Sequence, residues 1–277
     1  MVLTACLWLV AATGHAAVLS RLEHGDSLTI SVIGTSLSAD GSHGGNGLWF
    51  NKLGTWLNAK YPGKVTMYNE AYGGAASQTT TGTYSRNGLS NQDGGPGQLD
   101  YALKHKPDAV FIEFGMNDAV TKFVTLTEPV GITPTMLRNN LQTMIDRINN
   151  SALENGKPVD IVILTMNDET ISGLRPDLPA YYEACRHAAK DNGVLLIDNY
   201  PNWVDLHKNK LSTWQSYVPD GVHPNELGTD AVIMPNVKHA LSSQVPEPTS
   251  LVLLGVGSIG LLSYASRKRE DSQKCSN

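Results

Sequence analysis

Short apolar, β-branched runs alternate along this chain with longer stretches whose apolar residues recur at helical spacing. The first run, 29–33, carries Ile30, Val32 and Ile33, suits a buried parallel strand, and stops at Gly34 just before Ser36. Leu48, Trp49, Phe50, Leu53, Trp56 and Leu57 then recur at helical spacing and predict a helix over 48–57. The same reading predicts strands at 64–69, 109–114, 159–166 and 194–198, and helices at 98–106, 133–153, 179–191 and 226–241. Pro134 suits the first turn of its helix, and Gly193 ends another. A long loop rich in small and hydroxyl residues separates 73 from 97, and loops of that length commonly carry function. Strand and helix alternate throughout, which predicts an α/β chain of three layers, α/β/α, with right-handed crossovers over a five-stranded parallel sheet.

Both ends break this pattern. Residues 2–10 are almost wholly apolar and 11–17 are small, the pattern of a secretory signal peptide over 1–17, although no Lys or Arg precedes Arg21. At the other end the run Val245-Pro246-Glu247-Pro248 precedes an uncharged apolar stretch, 249–266, and then Arg267-Lys268-Arg269. At about 1.5 Å per residue that stretch reaches roughly 27 Å, enough for a hydrocarbon core, and its leucines leave no polar helix face. A membrane span with its basic end in the cytoplasm is therefore expected. This leaves 18–244 as one catalytic domain between a signal and a tail of 245–277.

Composition narrows the classes. With 277 residues, 41% of them hydrophobic, the chain can bury one sizeable core. The net charge of −5, with no basic run in the body, excludes a nucleic-acid partner on electrostatic grounds. Of three cysteines only Cys185 falls in the body, so no internal disulfide is available there. The histidines His24, His43, His105, His187, His207 and His239 show no metal-ligand spacing. His43, in the glycine-rich loop after Ser36, is read as a surface-loop residue, with a place at the border of the site as the alternative.

Four polar sites stand at strand ends or in loops: Ser36, Gly74, Asn117, and the turn Asp220-Gly221-Val222-His223. Each has an ordinary explanation alone, as a cap, a loop glycine, an Asn-Asp turn or an Asp-Gly turn. Together they supply every role that acyl transfer needs. A serine hydroxyl is a weak nucleophile until a base takes its proton, and His223 is the candidate base with Asp220 as the group that orients it. The backbone N–H groups of Ser36 and Gly74 and the Asn117 side-chain amide are candidate donors to a developing oxyanion. Asp118 is expected to orient this loop by hydrogen bonding rather than to react.

In these blocks the chain resembles the SGNH hydrolases, also called GDSL-type esterases and lipases. Gly34-Thr35-Ser36-Leu37-Ser38, the loop around Gly74, Gly115-Met116-Asn117-Asp118, and Asp220-Gly221-Val222-His223-Pro224 match the family's four blocks in order. Thr35 stands where the family's name motif has aspartate, a position outside the triad. The resemblance implies a flavodoxin-like fold, a shallow exposed site, and Ser36, His223 and Asp220 as the triad, without metal or cofactor. The tail resembles a PEP-CTERM sorting signal. This implies a Gram-negative protein exported to the periplasm or cell surface, processed by an exosortase, held at least transiently in the membrane, and associated with exopolysaccharide.

The expected activity is hydrolysis of a short acyl ester, acetyl by preference, on a carbohydrate. The polar loop at 75–97 and the lack of a long apolar stretch near the blocks favour it over a lipase or lysophospholipase. Transfer of the acyl group to a sugar acceptor uses the same nucleophile and oxyanion hole. A catalytically silent glycan-binding matrix protein would keep the fold, but would not need Ser36, Asn117, Asp220 and His223. Trp49, Phe50, Tyr72, Tyr84 and Trp203 are candidates for a sugar platform, with core packing as the commoner fate of such residues.

Overall fold

A computed structural model describes residues 18–45, 47–78, 88–89, 97–121, 131–169 and 174–244. The expected signal, the Pro-Glu-Pro tail with its apolar span, and Tyr84 lie outside the described residues. No helix among the described residues is long and apolar enough to cross a membrane.

The β-branched runs become five parallel strands: β1 (Leu28–Gly34), β2 (Val65–Asn69), β3 (Ala109–Glu113), β4 (Asp160–Thr165) and β5 (Leu195–Asp198). Their order is β2-β1-β3-β4-β5. β1 pairs with both β2 and β3, with Ile30 opposite Met67 and Ala109. All five residues of β3 are buried. Since successive strand residues point to opposite faces, both faces of the sheet are covered.

The cover comes from two sets of helices. α1 (Val18–Glu23) and α2 (Leu48–Lys60) pack with α9 (Met234–Ser242), while α3 (Gln98–Lys104), α4 (Pro134–Asn155) and α5 (Leu178–Asn192) pack in succession. Thr133 caps α4 through Met136 N–H with Pro134 in the first turn, and Gly193 ends α5 at a left-handed φ of 61°. The layers and parallel sheet are those expected.

Two segments depart from the sequence reading. The stretch after β5, assigned no element above, forms α6 (Tyr200–Asn209) and α7 (Leu211–Tyr217), which bury Trp203 and Trp214. The single helix expected over 226–241 is a short turn α8 (Glu226–Gly228), a π-helical turn (Thr229–Ile233) and α9. Pro235 lies just inside α9 and has no N–H to give the preceding turn, so the backbone widens ahead of it. Trp49, Phe50 and Trp203 are at most 1% exposed and belong to the core, which removes them as sugar platforms.

Candidate active site

Ser36 follows β1 in a tight turn, where Ser38 N–H and Ala39 N–H donate to the Thr35 carbonyl. The turn rests on Glu113, the last residue of β3. One carboxyl oxygen of Glu113, Oε2, accepts from Thr35 N–H at 3.0 Å, Thr35 Oγ1 at 2.9 Å and Ser38 Oγ at 3.0 Å. Gln98 closes the other side, accepting from Gly34 N–H at 2.6 Å and donating to the Gly34 carbonyl at 2.9 Å. Gly34 is required by closeness of approach: a Cβ there would meet the Glu113 carbonyl at 2.6 Å. Thr35, the departure from the family motif, donates twice to this carboxyl, where an aspartate would set a second negative charge against it.

Burial pushes the Glu113 carboxyl up to about 7, against the hydrogen bonds from Thr35 and Ser38, and the charge of Asp118 pushes the same way. Its second oxygen, Oε1, has no hydrogen-bond partner among the described residues.

The candidate base comes from the far end of the chain, 187 residues from Ser36. His223 Nε2 lies 2.9 Å from Ser36 Oγ, and His223 Nδ1 lies 2.7 Å from Asp220 Oδ2. The other oxygen of Asp220 accepts from Val222 N–H and His223 N–H at 2.9 and 2.7 Å. Burial works to raise the Asp220 carboxyl, but these backbone donors and the His223 ring outweigh it and hold the group below its ordinary 3.8. An ionised Asp220 requires a proton on Nδ1, which leaves the Nε2 lone pair facing Ser36. The candidate triad is shallow, with the His223 side chain 29% and that of Asp220 54% exposed. Asn167, after β4, donates to the Val222 carbonyl at 2.7 Å and pins the His223 turn to the sheet.

Gly74 has a left-handed φ of 75°, a conformation that favours glycine, so the turn dictates the residue type. Asn117 Nδ2 donates to the adjacent Ala75 carbonyl at 2.9 Å, which joins two of the three expected oxyanion-hole elements. Asp118 orients the loop as expected: it accepts from Ser77 N–H at 3.1 Å, Ser77 Oγ at 2.5 Å and Gly115 N–H at 3.1 Å. The His43 carbonyl accepts from Gly73 N–H at 2.7 Å and its ring stacks on Tyr72, so this loop borders the Gly74 turn.

Sequence reasoning passed over Glu113, Gln98, Asn167 and the buried pair Glu169–Arg175. Arg175 donates to the Met116 carbonyl and to Asn117 Oδ1, and its Nη1 meets Glu169 Oε2 at 2.7 Å. Burial raises the Glu169 carboxyl although the charge of Arg175 opposes it. The signal was present: Asn167-Asp168-Glu169 is a polar cluster at a strand's carboxyl end, the criterion that singled out Ser36 and Asn117.

A family model, the GDSL-like Lipase/Acylhydrolase family, matches residues 24–231, and the PEP-CTERM protein-sorting motif matches 244–269. The second match indicates export and sorting in a Gram-negative bacterium with exosortase processing. No curated protein matches the chain. Among solved structures, the acetylxylan esterase Axe2 from Geobacillus stearothermophilus is 16% identical with a TM-score of 0.58, covering 81% of this chain and 98% of its own. A lipase/acylhydrolase from Enterococcus faecalis is 18% identical with a TM-score of 0.53, covering 76% and 96%. LAE5, an alpha/beta hydrolase from the Lake Arreo metagenome, is 18% identical with a TM-score of 0.57, covering 80% and 98%. At these identities the likeness shows the fold, and the family model carries the assignment: the chain belongs to the GDSL-like lipase/acylhydrolase family, hydrolases that act on ester bonds.

Proposed function

We propose that residues 18–244 are an exported serine esterase that removes short acyl groups, acetyl foremost, from carbohydrate. The observation that carries the chemistry is the chain of contacts from Ser36 Oγ through His223 to Asp220, at 2.9 and 2.7 Å. Ser36 Oγ attacks the ester carbonyl as its proton passes to His223 Nε2, and Asp220 stabilises the imidazolium. Backbone N–H groups of Ser36 and Gly74 and the Asn117 amide receive the oxyanion. Collapse expels the alcohol, which takes the proton from His223 and leaves an acyl-Ser36. Water then attacks with His223 as base, releasing the carboxylic acid and restoring Ser36.

The short-acyl and carbohydrate parts rest on three supports. The triad is shallow, which suits a polymeric substrate. Large apolar side chains exposed among the described residues are three leucines, Leu153, Leu211 and Leu227, too few to shelter a long acyl chain. One of the similar folds is an acetylxylan esterase.

The test is initial-rate hydrolysis of aryl acetate, butyrate and decanoate, with acetate release from an acetylated polysaccharide, by wild type, Ser36→Ala, His223→Ala and Asp220→Asn. Acetate should be preferred, and Asp220→Asn should lower kcat by about ten-thousand-fold through the wrong imidazole tautomer. Preference for decanoate would overturn the acyl assignment, and an active Ser36→Ala variant would overturn the nucleophile.

A further inference from the structure

Arg175 and Glu169 form a buried ion pair behind the Asn117 loop, their side chains 4% and 7% exposed. A buried pair of this kind rarely adds stability over apolar packing, which makes its placement the informative feature. Every donor group of the arginine is directed. Nε donates to the Met116 carbonyl at 2.6 Å, Nη1 to Glu169 Oε2 at 2.7 Å, and Nη2 to Asn117 Oδ1 at 3.4 Å. Glu169 also accepts from Arg175 N–H at 3.1 Å, so the carboxylate grips both ends of the residue.

Asn117 thereby sits between two groups of fixed polarity. A guanidinium only donates and so selects the amide oxygen. The Ala75 carbonyl only accepts and so selects Nδ2, at 2.9 Å. An asparagine amide has two nearly isosteric flip states, and in the wrong one it would point a lone pair at a developing oxyanion. The two neighbours leave one state and, among the described residues, one uncommitted Nδ2 hydrogen. The bond to Met116 also fixes the peptide that leads into Asn117. The pair further lies with its cation toward Asn117 and its anion beyond, the polarity that strengthens the amide as a donor to negative charge.

We propose that Arg175, held by Glu169, is a positioning residue that fixes the flip state and aim of Asn117. The inference rests on the reading of Asn117 as an oxyanion donor. Arg175, its side chain 4% exposed, acts through its neighbour, so its contribution depends on the Asn117 side chain.

A double-mutant cycle on the full-length protein tests this, with kcat and KM for an aryl acetate and thermal melting of each variant. Arg175→Met should lower kcat by about 10- to 100-fold with KM nearly unchanged, the range for losing a group that orients a reacting residue. In an Asn117→Ala background the same change should lower kcat by no more than about twofold, because the group being aimed is absent. Glu169→Gln, nearly isosteric, is carried through the same cycle, so a poorly folded Arg175→Met still leaves a test. It should show a smaller loss with the same dependence on Asn117. Equal losses in both backgrounds, or no loss with Asn117 present, would overturn the proposal. Full activity of Asn117→Ala would instead overturn the oxyanion reading beneath it, a separate outcome.

Discussion

Replacing Glu113 by glutamine should make the protein more stable at alkaline pH and leave it nearly unchanged at acidic pH. The carboxyl is buried beneath the Ser36 turn and raised to about 7 from an ordinary 4.5. The folded state therefore keeps its proton through a pH range in which the unfolded chain releases it. Stability from this group is fully present below pH 4.5 and is lost as pH rises through about 7. At about 1.4 kcal/mol per decade, the whole displacement is worth about 3 kcal/mol. Glutamine does not titrate, and its amide oxygen can take the three donors that now reach Oε2. Its amino group then lies where Oε1 has no partner, as the proton of the neutral acid does, so the two proteins match when Glu113 is protonated. Urea denaturation can be followed by the emission of Trp49, Trp203 and Trp214, all fully buried. Between pH 5 and pH 8 the advantage of Glu113→Gln should grow by about 2–3 kcal/mol. A difference that stays constant across this range would refute the argument, since it would mean that Glu113 ionises alike in both states.

Gly34→Ala should destabilise the fold by about 1–3 kcal/mol, because the new methyl meets backbone, the Glu113 carbonyl at 2.6 Å, which cannot swing aside; thermal melting reads this directly. Asp168→Ala should cost about 1–3 kcal/mol by stranding two groups that now contact the carboxyl, Trp214 Nε1 at 2.7 Å and His207 Nδ1 at 2.5 Å. Denaturant melts of Asp168→Asn beside it test the cause, since asparagine should recover part of the loss by keeping an acceptor for Trp214.

The sheet was legible because parallel strands buried on both faces must be continuous apolar runs, and Ala109 to Ile112 has no other comfortable place. The meeting of Ser36 with His223 and Asp220, and of Asn117 with the Gly74 turn, was legible because polar residues at strand ends and in loops were read together. What escaped was the support beneath them. Glu113 reads in sequence as the polar end of a strand, and only the fold puts three donors on one of its oxygens. Arg175 lies 58 residues from Asn117 and is bonded to it through a geometry that no local spacing encodes. The π turn before Pro235 escaped for a different reason: proline tolerates an early helical position, so the apolar period alone continued the helix through it.

The parallel sheet also sets a timetable for folding. Its first strand, β1, pairs with β2 and β3, each reached only after a long crossover, and the Ser36–His223 contact spans 187 residues. Topologies dominated by such distant pairings fold slowly, because loop-closure entropy is spent before contacts return it. In a chain sorted for export, that slowness prolongs the unfolded state. Ser36 leaves the ribosome early, yet it meets His223 only once almost the whole body has been made, so the array of Ser36, His223 and Asp220 is completed late.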